Sequence, residues 1–285
     1  MNLAGFAVDL GGTKTAVARI EAGEVVERLQ QPTDASADLP TQVAAMAAML
    51  EQLGFTPGMP LGVAVAGRID NVGNWHAVNT GTLRAITAAP LGEMLRERFG
   101  AAARALNDAD AAALAEARLG AGVGAHNFAY LTVSTGVGGG LVLGGRLIDS
   151  TTGLVGHVGF ASSRFSNSMC GSGRFGTVES VAGGRAIAAA AGREDARAVF
   201  ADPAQEPIID LSAAAIAALI GDLTAILGLN RVAIGGSIGL AAGYLPRVLS
   251  HLGELPDIFR PEVVPATLGQ DSGLIGVLLA SLEAA

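Results

Sequence analysis

Two spacings of apolar residues alternate along the chain. Apolar side chains recur every three or four positions across residues 40–53, which predicts an amphipathic helix. Residues 61–66 are continuously apolar, a pattern typical of a strand buried on both faces. The same criteria predict helices at 90–99, 211–227 and 240–252, an alanine-rich helix ending near 119, and strands at 130–133 and 231–234. Strands that alternate with helices in this way predict an α/β fold.

A glycine cluster interrupts the β-rich region at 129–148. The predicted strand 130–133 is followed by glycines at 136, 138, 139 and 140, and apolar residues resume at 141–143. We predict a hairpin with a glycine hinge. Because glycine accepts a positive φ, such a hinge can direct several backbone N–H groups at one oxyanion, and a phosphate is the natural ligand.

The same pattern occurs once more, near the start of the chain. The apolar run 6–8 leads into Asp9-Leu-Gly-Gly-Thr-Lys, and apolar residues then resume as far as Ile20. Two copies of one unit imply two halves that clamp a polyphosphate between them. Asp9 would add a carboxylate for Mg²⁺, and Thr13 and Lys14 would add donors. The alternative is that both copies are ordinary tight hairpins.

Two further junctions carry candidate ligand-binding residues. Asn107 and Asp108 lie where a strand is predicted to pass into a helix, and open α/β sheets bind ligands at such strand ends. Alternatively, Asn107, Asp108 or Asp110 simply caps the helix. The strand predicted at 231–234 ends at Gly235-Gly-Ser, a corner at which backbone can approach a flat ring or a ribose.

Composition and charge exclude several classes of protein. The chain has 285 residues, which is enough for two domains with separate cores. A net charge of -8 argues against a nucleic-acid surface, which would need a clustered basic face. One cysteine, Cys170, excludes an intrachain disulfide and fits a reducing compartment. We find neither a signal-peptide pattern nor a membrane-length apolar stretch free of glycine and charge, so we predict a cytoplasmic protein without a membrane partner.

Five motifs, taken in order, resemble the ROK family, which is named for its repressors, open reading frames and sugar kinases. They are Asp9-Leu-Gly-Gly-Thr-Lys, Leu106-Asn-Asp-Ala-Asp, Thr132-Val-Ser-Thr-Gly-Val-Gly-Gly-Gly, Gly156-His-Val-Gly and Ala233-Ile-Gly-Gly-Ser. The resemblance implies an actin-like ATPase (ribonuclease H-like) fold, in which two α/β domains close an active-site cleft over ATP-Mg²⁺ and a sugar. We expect residues 1–110, completed by a C-terminal helix at 271–285, to form one domain and residues 111–270 the other.

The resemblance also implies roles for individual residues. Asp108 is expected to be the catalytic base, which accepts the proton of the sugar's 6-hydroxyl as that oxygen attacks the γ-phosphorus of ATP. Sugar-binding roles are implied for Asn107, His157, Glu179, Asn79 and Thr82. ATP-binding roles are implied for Asp9, Gly11, Gly12, Thr13, Lys14, Thr135, Gly136, Gly138, Gly235, Gly236 and Ser237, with Asp9 holding Mg²⁺ through water.

Within the family the chain looks most like the bacterial N-acetylmannosamine kinases. The segment 238–245 and His157 point there, since glucose-type members usually carry Glu at the position of His157. His157 has an alternative interpretation, because a histidine beside glycines can simply satisfy a loop carbonyl. The alternative functions are a kinase for glucose or N-acetylglucosamine, a non-catalytic sugar sensor, and a chaperone or filament ATPase. A sensor of the repressor type is disfavoured because no helix-turn-helix segment precedes the first hairpin. A homodimer is expected from the resemblance only.

One part of the sequence departs from the family pattern. The family has one His and three Cys that bind structural Zn²⁺, and here these positions are Phe160, Cys170, Ser172 and Thr177. One thiolate cannot hold a tetrahedral zinc site, so we predict no zinc. Phe160 also leaves one expected sugar contact unmatched. A family asparagine near residue 83 is displaced, with Thr82 in its place and Asn79 nearby.

Overall fold

The structure is a computed structural model that describes residues 3–79 and 81–283. Helix and strand bounds, in chain order, are β1 (Gly5–Leu10), β2 (Lys14–Glu21), β3 (Glu24–Pro32), α1 (Leu39–Gln52), β4 (Leu61–Val65), β5 (Arg68–Ile69), β6 (Trp75–His76), α2 (Leu91–Phe99), β7 (Ala103–Asn107), α3 (Asp108–Leu119), β8 (Phe128–Val133), β9 (Val137–Leu143), β10 (Arg146–Leu147), α4 (Glu179–Ala182), α5 (Gly184–Ala190), α6 (Ala196–Phe200), α7 (Glu206–Leu227), β11 (Arg231–Gly235), α8 (Gly236–Gly239), α9 (Tyr244–Leu252), β12 (Glu262–Pro265) and α10 (Ser272–Glu283). The predicted α/β class is therefore confirmed. Ala284 and Ala285, which the predicted last helix and domain included, lie outside the described residues.

The chain divides into two compact units. Unit 1 comprises Met1–Ala115, Asp149–Val155 and Gln270–Ala285, and unit 2 comprises Glu116–Ile148 and Gly156–Gly269. The segment 149–155 therefore belongs to unit 1, although the sequence assigned it to the second domain. Backbone N–H of Asn71 donates to Thr151 O at 3.2 Å, and the Arg68 side chain donates to Thr152 O at 2.5 Å. These long-range bonds leave no local sequence signal, which is why the segment was misassigned.

Unit 1 is a five-stranded sheet with the order β3-β2-β1-β4-β7. The first three strands are antiparallel neighbours, and β1, β4 and β7 run parallel. The helix α10 packs against β1, β4 and β7. Gly62 permits this packing, because a Cβ there would collide with the backbone of Val277. The carboxyl ends of the three parallel strands consequently share one edge of a sheet that α10 covers.

Unit 2 repeats the topology of unit 1. Its sheet has the order β10-β9-β8-β11-β12, with β8 antiparallel to β9 and parallel to β11. The two glycine-rich hairpins thus occupy equivalent places, between β1 and β2 in one unit and between β8 and β9 in the other. The region Pro203–Leu227, which contains α7, is long and apolar enough to cross a membrane by composition, but it is mostly buried in unit 2. We interpret α7 as a core helix.

Two local features of unit 2 differ from the sequence prediction. The helix α7 begins at Glu206, five residues before the helix predicted at 211–227, and α6 precedes it. Gly138 does not lie in the hairpin turn, because it pairs with Thr132 inside the β8–β9 ladder. The next glycine, Gly139, allows close packing, since a Cβ there would meet Tyr130 O and the side chain of Val158. Gly139 thus serves the packing of β9 rather than the hinge.

Candidate active site

Two carboxyl groups come together at the carboxyl edge of the unit 1 sheet. Asp9 on β1 pairs with Ala64 on β4, which pairs in turn with Leu106 on β7. Asp108 follows β7 directly and is the first residue of α3. The negative charge of Asp108 raises the pKa of Asp9, so the two side chains interact electrostatically. The fold therefore brings together the predicted Mg²⁺ ligand and the predicted base, which are far apart in sequence.

The carboxyl group of Asp9 is unusually hard to ionise. Burial raises its pKa most, the charge on Asp108 raises it further, and the guanidinium of Arg28 opposes both effects. The resulting pKa is about 7. At neutral pH the surrounding side chains thus compensate the negative charge of the two carboxyl groups only in part. A divalent cation bound by oxygen ligands would compensate the remainder.

Asp108 is reachable by solvent but is surrounded by many protein atoms. This loss of hydration raises its pKa, while the backbone N–H of Ala109, at 2.9 Å, and the side chain of Asn107 oppose the rise. Asn107 itself caps α3, since its Oδ1 accepts from Ala109 N at 2.9 Å and Asp110 N at 3.1 Å. Its Nδ2 donates one hydrogen to Gly67 O at 2.7 Å. The cap fixes the direction of Asn107 and leaves its second amide hydrogen for other contacts.

Asp110, in the first turn of α3, carries a buried carboxyl oxygen that has no hydrogen-bond partner within the described chain. It borders a cavity of about 390 Å³ that is also lined by Asp149. Burial raises the pKa of Asp110 well above its usual range, and the charges of Asp108 and Asp149 raise it further. Asp110 is therefore harder to ionise than an ordinary aspartate, and ionisation of Asp108 opposes its ionisation further.

Asp110→Asn should stabilise the protein, and the gain should grow with pH. In the unfolded chain the group ionises near its ordinary pKa of 3.8, whereas the folded environment opposes ionisation, so the wild type loses stability as pH rises above about 4. We expect almost no change in melting temperature near pH 4 and a rise of a few degrees at pH 8, at roughly 2–4 °C per kcal/mol. Thermal unfolding across this pH range measures the effect. A gain that does not vary with pH would assign it to hydrogen bonding instead of charge.

The first glycine hairpin forms a tight turn between β1 and β2. Gly11 N donates to Lys14 O at 3.0 Å, and the side chains of Thr13 and Lys14 are exposed. Gly12 faces Thr82, because a Cβ on Gly12 would lie 3.4 Å from the Cβ of Thr82. The structure thus places one predicted sugar-binding residue against the predicted phosphate hairpin.

The loop that carries Asn79 and Thr82 is held by local contacts. The side-chain oxygen of Asn79 accepts from Gly81 N at 2.9 Å, and its carbonyl accepts from Thr82 N at 3.2 Å. The next residue, Leu83, is buried with a left-handed φ of 53°. A non-glycine residue adopts this conformation at a cost, which the burial of the leucine side chain offsets. Asn79 therefore shapes the turn, and Thr82 is the residue that reaches the hairpin.

The second glycine hairpin is tied to α5 and to Glu179. The carbonyls of Ser134 and Thr135 accept from Gly184 N at 2.7 Å and Arg185 N at 3.2 Å. Glu179 Oε2 accepts from Val137 N at 3.1 Å, and a Cβ on Gly136 would collide with this carboxylate. Glycine at 136 is therefore required for close approach to Glu179. This local packing links a predicted phosphate-binding residue with a predicted sugar-binding residue.

The glycine corner after β11 borders a cavity in unit 2. Gly236 has a φ of 85° and lies against Val133 O, where a side chain would not fit. The hydroxyl oxygens of Ser237 and Ser134 are 3.1 Å apart. Ser134, Thr135 and Ser237 line a cavity of about 410 Å³, together with Arg185, Phe200 and Ile238. Polar groups at one end and apolar side chains elsewhere suit a nucleoside.

The sequence did not identify the walls of this cavity. Arg185 lies on α5 and Phe200 on α6, and neither residue belongs to a recognised motif. The available signal was Asp195, whose carboxylate accepts from Ala198 N at 2.9 Å and so caps α6. One capping residue before a five-residue helix is too weak a signal to predict that helix, because the surrounding polar residues are typical of a loop.

His157 and Phe160 form one local unit. Their rings stack with centroids 5.8 Å apart and an interplanar angle of 27°. Both side chains are half-buried, and His157 precedes the short 3-10 turn Val158–Phe160. Phe160 cannot ligate a metal, but its ring restricts the orientation of the imidazole. The stacking on Phe160 gives the imidazole of His157 a fixed direction.

In the family that the sequence resembles, four positions bind zinc, and the residues at those positions in this chain do not fit zinc. The thiol of Cys170 lies 3.0 Å from the hydroxyl oxygen of Ser172, and Thr177 is fully buried. Burial acts to raise the pKa of the Cys170 thiol, but hydrogen bonds with Ser172 and Thr177 lower it overall. Within residues 3–79 and 81–283, no group of three His, Cys, Asp or Glu side chains could hold a metal ion. The donor set offers a single thiol where zinc needs four ligands.

Comparison with known proteins gives consistent similarities over the chain. The sequence model of the ROK family matches residues 5–283. The chain is 38% identical over 281 residues to an N-acetylmannosamine kinase of Haemophilus influenzae, covering 95% of this chain and 93% of the relative. The chain is also 38% identical over 284 residues to an N-acetylmannosamine kinase of Shigella boydii, covering 96% of this chain and 97% of the relative. The crystal structure of a ROK hexokinase from Thermus thermophilus superposes with a TM-score of 0.83 at 30% identity and covers 98% of each chain.

Proposed function

Because the chain belongs to the ROK family, we propose that it is an ATP-dependent sugar kinase that phosphorylates the 6-hydroxyl of N-acetylmannosamine. Its fold is the actin-like ATPase fold of the ROK sugar kinases. The observation that carries the proposal is the interacting carboxyl pair of Asp9 and Asp108 at the sheet edge, since a kinase needs both a base and a cation ligand. The acceptor follows from the names of the 38%-identical relatives.

Asp108 acts as the general base in this proposal. It accepts the proton of the 6-hydroxyl while that oxygen forms a bond to the γ-phosphorus, and the bond from phosphorus to the oxygen bridging the β- and γ-phosphates breaks to release ADP. The raised pKa of Asp108 supports the role, because a base is most effective when its pKa approaches the working pH. The neighbouring Asn107 holds the first turn of α3 and thereby the direction of the carboxylate.

Asp9 is the residue that fits Mg²⁺, which we place through water as the resemblance implies. Its raised pKa reflects negative charge that the surrounding side chains leave uncompensated, and this is the environment that favours a bound cation. When bound, Mg²⁺ would spread the negative charge of the phosphates. The backbone N–H groups of Gly12 and Gly136 and the side chains of Thr13 and Lys14 are assigned to the phosphates. Gly11 is assigned to shaping the turn, because its N–H donates to Lys14 O.

The remaining assignments divide between the nucleoside and the sugar. The unit 2 cavity lined by Thr135 and Ser237 suits the base and ribose by volume and lining, and we assign the adjoining corner Gly235-Gly236 to the same nucleoside. We assign the sugar hydroxyls and N-acetyl group to Asn107, His157 and Glu179, with Thr82 next to the hairpin. Gly138 is not assigned to ATP, because its backbone is committed to the β8–β9 ladder. Asn79 is assigned to shaping the loop.

A panel of hexoses tests the acceptor. We expect N-acetylmannosamine to give the highest kcat/KM in coupled ADP release, with glucose and N-acetylglucosamine lower by roughly tenfold or more, since each lost polar contact costs about 1 kcal/mol or more. Glucose is the second candidate acceptor, because the superposing Thermus thermophilus protein is a hexokinase. A preference for glucose would reject the named acceptor while keeping the kinase. Absence of ADP release with every sugar would favour a non-catalytic sugar sensor.

We also propose a cytoplasmic location and a homodimer. The location is supported by the reducing environment that one free cysteine, Cys170, implies and by the buried face of α7. The dimer is supported by family resemblance alone. Sedimentation or light scattering at working concentration tests it, and a monomer would reject it.

A further inference from the structure

A cluster of four hydroxyl groups lies next to Glu179, and we name Ser166, Ser168, Thr177 and Ser180 the hydroxyl cluster. Ser180 is its centre: its Oγ is 2.8 Å from Ser166 Oγ and donates to Thr177 O at 2.8 Å. The backbone N–H of Thr177 donates to Ser180 Oγ at 2.9 Å, and that of Ser180 to Thr177 Oγ1 at 3.2 Å. Ser168 Oγ donates to the Ser180 carbonyl at 3.1 Å. The bonds are reciprocal, so the members fix one another.

The cluster encloses the start of α4, where Glu179 is the first residue. A helix of four residues, α4 has little stability of its own, and the residue before it, Val178, offers no side-chain acceptor for a cap. Thr177 and Ser180, on either side of Glu179, supply the missing bonds to the first turn. Thr177 is fully buried and Ser180 nearly so, which protects these bonds from water.

The cluster also connects α4 to the preceding loop. Ser163 N donates to Gly176 O and Gly176 N to Ser168 O, both at 2.8 Å, and Val178 N donates to Ala161 O at 2.9 Å. The loop is thus closed on itself by hydrogen bonds at the point where it enters α4. The thiol of Cys170, at the edge of the cluster, hydrogen-bonds to Ser172 and to Thr177.

We propose that the hydroxyl cluster positions the carboxylate of Glu179 and thereby sets affinity for the sugar, without a metal. This inference rests on the proposed function, which assigns Glu179 to the sugar. Thr177 and Ser180 act as positioning residues: they hold the backbone of residue 179, and the contact of Glu179 with Val137 N then fixes the carboxylate against Gly136. A buried hydroxyl network can do this because each bond strengthens in surroundings from which water is excluded.

The decisive experiment compares Thr177→Val with Thr177→Ser. Valine keeps the shape of threonine and removes the hydroxyl, whereas serine keeps the hydroxyl. We expect Thr177→Val to raise KM for N-acetylmannosamine about fivefold or more, the loss that one hydrogen bond predicts, with KM for ATP nearly unchanged. Thr177→Ser should restore the wild-type KM. A lowered melting temperature with both KM values unchanged would overturn the proposal.

Two further variants keep the test sharp if Thr177→Val folds poorly. Ser166→Ala removes an outer member of the cluster and should raise KM for the sugar in the same direction by a smaller factor. Ser172→Ala is the matched control, because it removes a hydroxyl of the same loop that bonds to Cys170 and not to Ser180. We expect it to leave both KM values unchanged. Equal effects of Ser166→Ala and Ser172→Ala would contradict a specific role for the cluster.

Treatment with a zinc-selective chelator distinguishes positioning of Glu179 by the hydroxyl cluster from positioning by a bound metal. We expect the wild type to keep its KM for the sugar after treatment, and loss of sugar affinity would assign the positioning role to a bound metal and overturn the proposal. Failure of the proposed function is recognised separately, because a wild type that phosphorylates no sugar would reject the kinase itself and this inference with it. An active wild type with a Thr177→Val variant of unchanged KM rejects the positioning role alone.

Discussion

Asp108→Asn should lower kcat for sugar phosphorylation by about 10²- to 10⁴-fold, the range that a general base contributes. Asparagine keeps the size of the side chain and its bond to Ala109 N, but it cannot take a proton from the 6-hydroxyl. KM for the sugar should change little, because the substitution removes an interaction that is made only in the transition state. Steady-state ADP release at saturating sugar measures the effect.

Asp110→Asn is the matched control for this substitution. The same change is made two residues later on the same helix, at a carboxyl group whose pKa burial raises well above its usual range. Because Asp110 is not the proton acceptor in the proposal, we expect kcat to stay within about twofold of the wild type while the melting temperature rises. Equal losses of kcat in the two variants would show that charge near α3, and not proton acceptance by Asp108, supports activity.

Asp9→Asn should weaken apparent Mg²⁺ affinity by roughly 10- to 100-fold. This is the cost typical of losing a residue that holds a metal through the metal's bound water molecules. In the wild type this affinity should depend on pH, because a proton and Mg²⁺ compete for Asp9, whose pKa is about 7. Affinity should be roughly tenfold weaker at pH 6 than at pH 8. Mg²⁺ titrations of activity at the two pH values measure both effects, and the variant should have lost the pH dependence.

Stability without Mg²⁺ provides the control for Asp9→Asn. The pKa of Asp9 is raised on folding, so its ionisation costs stability as pH rises above its ordinary pKa of 3.8. We therefore expect the variant to be more stable than the wild type at neutral pH, although it binds Mg²⁺ less well. A variant that is both less stable and less active would indicate that the side chain supports the fold instead.

Residues at strand ends were predictable from the sequence because their signal is local. Asp9 follows a short apolar run and precedes two glycines, and Asn107 and Asp108 join a strand to an alanine-rich helix. Such a junction specifies both the element boundary and the edge of the sheet on which the side chain lies. The duplicated hairpin similarly predicted the repeated topology of the two sheets. Asn107 satisfies both interpretations, since it caps α3 and lies beside the predicted base.

Features that depend on distant contacts were not predictable. Gly138 was placed in the hinge because a run of glycines resembles a turn, whereas Gly138 pairs with Thr132 in the β8–β9 ladder and the neighbouring Gly139 packs closely against Val158. The bond of Ser166 to Ser180 was not predicted, since nothing in the sequence pairs these hydroxyls across fourteen residues. Phe160 was recognised as a departure, but its stacking on His157 required the structure.

The most direct test of the central claim is ³¹P and proton NMR of the reaction of wild type and Asp108→Asn with ATP and N-acetylmannosamine. We expect the wild type to form a sugar phosphate whose phosphorus couples to the two protons on carbon 6, and the variant to form almost none in the same time. Phosphate on another hydroxyl, or equal product from Asp108→Asn, would contradict the account.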